Sequence, residues 1–155
     1  MKALVVYYSR TETTAELARA VAEAIGTELD PLVDTVSRQG GRGFLRSLRD
    51  AARRRTTTIE PLRADPGAFD LVLVGTPDWG GAVAAPVRAF LEEYRARLPR
   101  LAFFLTDGAA DHEKVFRDMA VLSGREPVAS LGIPHDEVLQ GRYADRVEAF
   151  AASLR

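Results

Sequence analysis

Three short apolar runs, at residues 3–8, 71–74 and 101–105, each lead through a polar or glycine-bearing turn into apolar residues at helical spacing. The runs are continuous rather than alternating, and they are rich in β-branched and aromatic residues. A strand with one wet face alternates apolar and polar side chains, whereas a strand buried on both faces does not. Strands of this second kind, separated by helices, predict a parallel sheet with helices packed on both sides.

The rest of the chain repeats the pattern. Leu17, Val21 and Ile25 mark a first helix, and Gly26 is its expected stop. Residues 28–36 read as a weaker strand. Pro31 lies within it and cannot donate to a ladder, so this strand belongs at an edge. Residues 39–43 form a glycine-rich connection to an arginine-rich helix, with Leu45, Leu48 and Ala52 opposite the charges. Val83, Val87, Phe90, Leu91 and Tyr94 mark the next helix, and Val115, Phe116, Met119 and Leu122 the one after. A short last strand at 128–131 precedes a helix striped by Tyr143, Val147, Phe150, Ala151 and Leu154. These are five β/α units without an internal repeat or a long linker, so one domain is expected over residues 1–155.

Composition removes several chemistries. There is no cysteine, which excludes disulfides, thiolate metal sites and thiol nucleophiles. The two histidines, His112 and His135, lie outside any metal-ligand spacing and read as surface or loop residues. No apolar run reaches the ~20 residues of a membrane span. Residues 3–8 are too short for a signal peptide and lack a cleavage site, so a cytoplasmic protein without a membrane partner is expected. The net charge of −1 argues against a general polyanion binder. Arg38, Arg42, Arg46, Arg49, Arg53, Arg54 and Arg55 nevertheless cluster. The segment reads first as a solvated helix face, and second as a docking patch for an acidic partner. Phe44 is the one aromatic among these arginines, too few for bases to stack on, so nucleic acid is not an expected partner.

Right-handed crossovers bring the loops that follow parallel strands to one edge of the sheet. Ligands bind there, where the strand order reverses. The loops at 9–14, 76–81 and 106–109 meet at that edge. The first offers hydroxyls from Ser9, Thr11, Thr13 and Thr14 beside free N–H groups at a helix start, a pocket for phosphate. Thr13 and Glu16 also fit a capping box, which satisfies the same groups without a ligand. The second loop carries Trp79, the only tryptophan, placed either to stack on a planar ring or to fold back onto a helix. The third is built from small residues that permit close backbone approach to a ring edge. Together the three describe a site for a mononucleotide with a planar ring.

Over nearly its whole length the chain resembles the flavodoxin family. Val6-Tyr7-Tyr8-Ser9-Arg10-Thr11-Glu12-Thr13-Thr14 is similar to the family's FMN phosphate loop. Asp70-Leu71-Val72-Leu73-Val74-Gly75-Thr76-Pro77-Asp78-Trp79-Gly80-Gly81 is similar to the strand and loop beside the flavin ring. Ala102-Phe103-Phe104-Leu105-Thr106-Asp107-Gly108-Ala109 matches the third flavin-facing loop less tightly. The resemblance implies a flavodoxin-like α/β three-layer sandwich with a five-stranded parallel sheet in the order 2-1-3-4-5. It implies non-covalent FMN and either electron transfer or flavin-dependent reduction. By the same resemblance Ser9, Arg10, Thr11, Glu12, Thr13 and Thr14 form the phosphate loop. Thr76, Pro77, Asp78, Trp79, Gly80 and Gly81 contact the ring, with Thr106, Asp107 and Gly108 opposite. Partners are then a redox protein or a small-molecule electron acceptor.

The chain departs from the family in three places. Glu12 stands where the phosphate loop usually has glycine, which implies backbone strain if its φ is positive and repulsion of phosphate unless its carboxylate points to water. Residues 107–112 lack the aromatic that covers the second ring face. The net charge is near neutral, although Glu12, Asp78, Asp107, Asp111 and Glu113 give the loop edge an acidic character suited to a basic redox partner. A second reading follows from Glu12: a module that keeps the fold without FMN. No residue is read as a general base, and no Gly-x-Gly-x-x-Gly fingerprint is present, which leans toward a carrier rather than a nicotinamide-dependent reductase. Receiver and hydrolase readings lack their acidic cluster and nucleophile elbow.

Overall fold

A computed structural model gives the architecture; it describes residues 1–35, 39–53, 57–107 and 112–155, with residues 51 and 52 described by backbone alone. The chain runs β1 (Ala3–Tyr7), α1 (Glu12–Ile25), β2 (Glu28–Pro31), α2 (Gly40–Ala52), β3 (Leu71–Pro77), α3 (Ala85–Glu93), β4 (Arg100–Asp107), α4 (His112–Ser123), β5 (Ser130–Pro134), α5 (His135–Leu139) and α6 (Ala144–Ser153). Single 3₁₀ turns at Pro66–Ala68 and Arg95–Arg97 lead into β3 and β4. All strand pairs are parallel, and the sheet order is β2-β1-β3-β4-β5. The edge position expected from Pro31 holds: β2 pairs on one side with β1, and Pro31 is its last residue.

Alternate residues of the central strands feed two cores. Leu4, Val6, Val72, Val74, Leu101 and Phe103 face α3 and α4. Ala3, Val5, Leu71, Leu73, Ala102 and Phe104 face α1 and α6. This two-sided burial is why the strands are apolar at successive positions. Packing is close where Gly75 meets Phe104 on the neighbouring strand; a Cβ on Gly75 would run into the phenyl ring. Among the described residues no helix is long and apolar enough to cross a membrane.

Some local expectations change. The last strand starts at Ser130, later than the periodicity predicts, and the short α5 follows it directly. Leu45 is not on the buried side of α2: it is 66% exposed, and Gly43, Ser47 and Asp50 face inward instead. Val36, Arg38, Arg54, Arg55, Gly108, Ala109 and Asp111 lie outside the described residues.

Candidate functional site

The chain passes from β1 out to β2 and then back across to β3, so the order reverses between β1 and β3. Their carboxyl ends, with that of β4, converge on a cavity of ≈ 180 Å³. Arg10, Thr11, Thr13, Thr14, Pro77, Asp78, Trp79, Thr106 and Asp107 line it, as do Phe44, Ser47 and Leu48 of α2 and His135 of α5.

The loops are tied to one another by short bonds. The Thr14 and Thr106 hydroxyls share a hydrogen bond of 2.7 Å. The Asp78 N–H donates to the Thr106 carbonyl at 2.9 Å. Thr76, fully buried, accepts from the Ala84 N–H and donates to the Pro77 carbonyl, so its hydroxyl secures the second loop rather than facing the cavity. Gly80 and Gly81 take φ of 64° and 82°, the left-handed turn that returns the chain to Ala82. The Gly81 N–H donates to Asp78 Oδ1 at 2.6 Å, and Lys114 Nζ donates to the Gly81 carbonyl at 2.7 Å.

The start of α1 is open to an anion. Thr11 is the N-cap and makes no side-chain capping bond. Among the described residues the backbone N–H groups of Glu12, Thr13 and Thr14 meet no acceptor. The capping-box reading fails, because Glu16 Oε1 accepts from the Tyr143 hydroxyl at 2.9 Å instead of turning back on the helix start. Ser9 holds the loop from within: its hydroxyl accepts from the Ala15 N–H and donates to the Thr11 carbonyl. Glu12 occupies the first helical position, so its backbone carries no positive-φ strain. Its carboxylate is 84% exposed and pairs with Arg19 at 2.9 Å, away from the cavity.

The other end of the cavity is aromatic and acidic. Trp79 is only 6% exposed; its ring meets Tyr8 edge-on at 5.6 Å. Leu48 comes within van der Waals contact of a Cβ built at Gly80, the residue next to the indole. Trp79 thus packs inward against Tyr8, not against a helix, and also lines the cavity. Burial pushes the Asp78 carboxyl above its ordinary value, against the opposing pull of the Gly81 and Ala82 N–H groups, His112 and Lys114. Asp78 Oδ2 is buried without a hydrogen-bond partner among the described residues. Burial likewise raises Asp107, whose side chain is 2% exposed and lies against the His112 imidazole.

The architecture has solved counterparts. A flavoprotein from Lactobacillus acidophilus, crystallised in complex with FMN, superposes with a TM-score of 0.74 at 20% identity, covering 90% of this chain and 97% of that one. The fold is that of the flavodoxins. Flavodoxin from Megasphaera elsdenii gives 0.61 at 15% identity, with 99% of each chain covered. A flavodoxin, WrbA-like protein from Agrobacterium tumefaciens gives 0.56 at 17%, also with 99% of each covered. No protein-family model matches the chain, and no curated protein sequence does.

In this flavodoxin-like frame nine of the residues expected from the sequence line the cavity, while Ser9, Glu12, Thr76, Gly80 and Gly81 support it or face elsewhere. Gly108 lies outside the described residues. Phe44, Ser47, Leu48 and His135 were not expected as lining residues. For α2 the legible signal was Leu48 on the side away from the arginines; for His135 there was none.

Proposed function

We propose that this chain binds FMN non-covalently and works in electron transfer. One observation carries the reading: three unaccepted N–H groups at the start of α1 open beside buried Thr13 and Thr14, at the point where the strand order reverses. Such a helix start attracts a phosphate through both hydrogen bonds and the helix dipole. Arg10 lines the same cavity and supplies a guanidinium for charge-assisted contact. That a structural counterpart was crystallised with FMN supports the choice of ligand.

The residues present fit the group unevenly. The cavity of ≈ 180 Å³ accommodates the phosphate end; whole small-molecule sites run to about 300–1,000 Å³. Trp79, Phe44 and Leu48 would hold the apolar ring. The Thr14–Thr106 bond holds the loops in register, and Trp79, Asp78 and Asp107 line the part of the cavity that would receive the ring. Bound FMN supplies the redox chemistry through its ring system.

Glu12 does not favour the reading in which the cofactor is lost, because its carboxylate points to solvent. The carrier assignment rests on the missing dinucleotide fingerprint. Two experiments test these points. Titrating the protein into FMN should quench flavin fluorescence; no binding at high micromolar FMN rejects the cofactor. Turnover of NADH or NADPH with a quinone by the isolated FMN-loaded protein rejects the simple carrier.

A further inference from the structure

We propose that the outward face of α2 is a docking surface for an acidic protein, bringing that partner to the rim of the cavity. The proposal goes beyond the cofactor reading and does not depend on it.

Arg42, Arg46, Arg49 and Arg53 are all exposed and recur at i, i+4, i+7 and i+11. That spacing places them in one stripe on one side of the helix. The Arg53 N–H donates to the Arg49 carbonyl at 3.0 Å, so the helical turn continues through the last of them. The only acid in α2, Asp50, is buried along one flank of the stripe, a turn after Arg46, and meets Arg49 at 3.4 Å. A chain of net charge −1 thus gathers positive charge on a single helix.

The same helix walls the cavity with Phe44, Ser47 and Leu48. Arg10, at the cavity mouth, stacks its guanidinium over Phe44 at 5.3 Å and joins the stripe to the site. Of the acids expected to make this edge negative, Glu113 is exposed on α4 and Asp111 lies outside the described residues, while the three nearest the cavity are withdrawn from its surface. Asp107 is buried, Asp78 is half-buried with one oxygen fully enclosed, and Glu12 is paired with Arg19. The α2 side of the cavity rim is therefore cationic, and the complement of that side is acidic.

The form of the patch selects the partner class. Four arginines over 11 residues of helix span about 16 Å, an extended surface rather than a cradle for one small anion. Leu45 is the exposed aliphatic beside the stripe, too little apolar area to seat a helix in a lipid surface. No aromatic residue stands in the stripe for bases to stack on. Arginine on a rigid helix, next to a partly exposed aromatic, is the composition of a protein interface.

The test uses a small acidic ferredoxin as probe and basic cytochrome c as its opposite, with binding measured at about 20 and 200 mM salt. The ferredoxin should bind at the lower salt and weaken by about tenfold or more at the higher, as a rim of exposed charge requires. Exchanging all four arginines for glutamate should abolish binding, and exchanging them for glutamine should weaken it by an intermediate factor, with circular dichroism checking the fold of both. Equal binding by wild type and both variants overturns the proposal. So does tighter binding to cytochrome c, to phosphatidylserine vesicles or to a single-stranded oligonucleotide, and so does no ferredoxin binding at low salt. None of the four arginines lines the cavity, so FMN titration of the same proteins reads the cofactor separately: loss of FMN binding with ferredoxin binding intact counts against the cofactor alone.

Discussion

Thr14 at the start of α1 and Thr106 near the end of β4 share a buried hydrogen bond of 2.7 Å across 92 residues of sequence. This one contact closes the first loop against the third. Replacing either threonine by valine leaves the other hydroxyl buried without its partner, at a cost of about 1–3 kcal/mol. Urea unfolding of Thr14→Val, Thr106→Val and the double variant should show the double costing less than the sum of the singles. Simple additivity would mean that the two hydroxyls act independently.

Glu12 stands at the first helical position with its side chain in water. Glu12→Gly therefore gains no room for a phosphate. It removes an exposed ion pair and weakens the helix start, so stability falls by about 1 kcal/mol or less. FMN affinity should stay within about threefold of wild type, against the tenfold gain that 1.4 kcal/mol would bring. A variant that binds FMN where wild type does not would restore the reading of a fold without its cofactor.

Asp78 offers a pH signature. Burial makes its ionisation harder in the folded protein than in the unfolded chain. The folded state thus keeps the proton longer, and stability falls as pH rises from about 3.9, the unfolded aspartate value, through the raised folded value. Above that value the loss is complete. Asp78→Asn removes the ionisation while keeping an oxygen for the Gly81 N–H. The variant should be more stable than wild type at neutral pH, with the difference vanishing below about pH 3.9. Unfolding midpoints across that range check it; an equal difference at every pH would assign the effect to packing.

Trp79 is the only tryptophan and lines the same cavity as Leu48, so its emission reports on a change at that wall. Leu48→Ala should expose the indole and shift its emission to the red. Unchanged emission would place Leu48 away from the indole.

The sheet was readable because burial on both faces leaves continuous apolar runs, and Pro31 marked its edge through its missing donor. The three loops were readable for a related reason: parallel strands must carry their polar turns to the same side. What escaped was set by packing between distant segments. Nothing local to Phe44 or Ser47 says that α2 folds over the end of β3, and Leu45 looks as apolar as Leu48 until the helix is rotated into place. Glu16 has the spacing of a capping residue, yet Tyr143, far along the chain, takes its carboxylate. His135 reaches the cavity only because α5 begins at the very end of β5.

The central claim is that the N–H groups of Glu12, Thr13 and Thr14 receive a phosphate. Comparing the affinities of FMN and riboflavin, which differ by that phosphate alone, tests it most directly. Several charge-assisted hydrogen bonds should make FMN bind at least about a hundredfold tighter, or roughly 2.8 kcal/mol, and Thr13→Ala with Arg10→Ala should erode that gap while leaving riboflavin unaffected. Equal affinity for the two flavins would contradict the account.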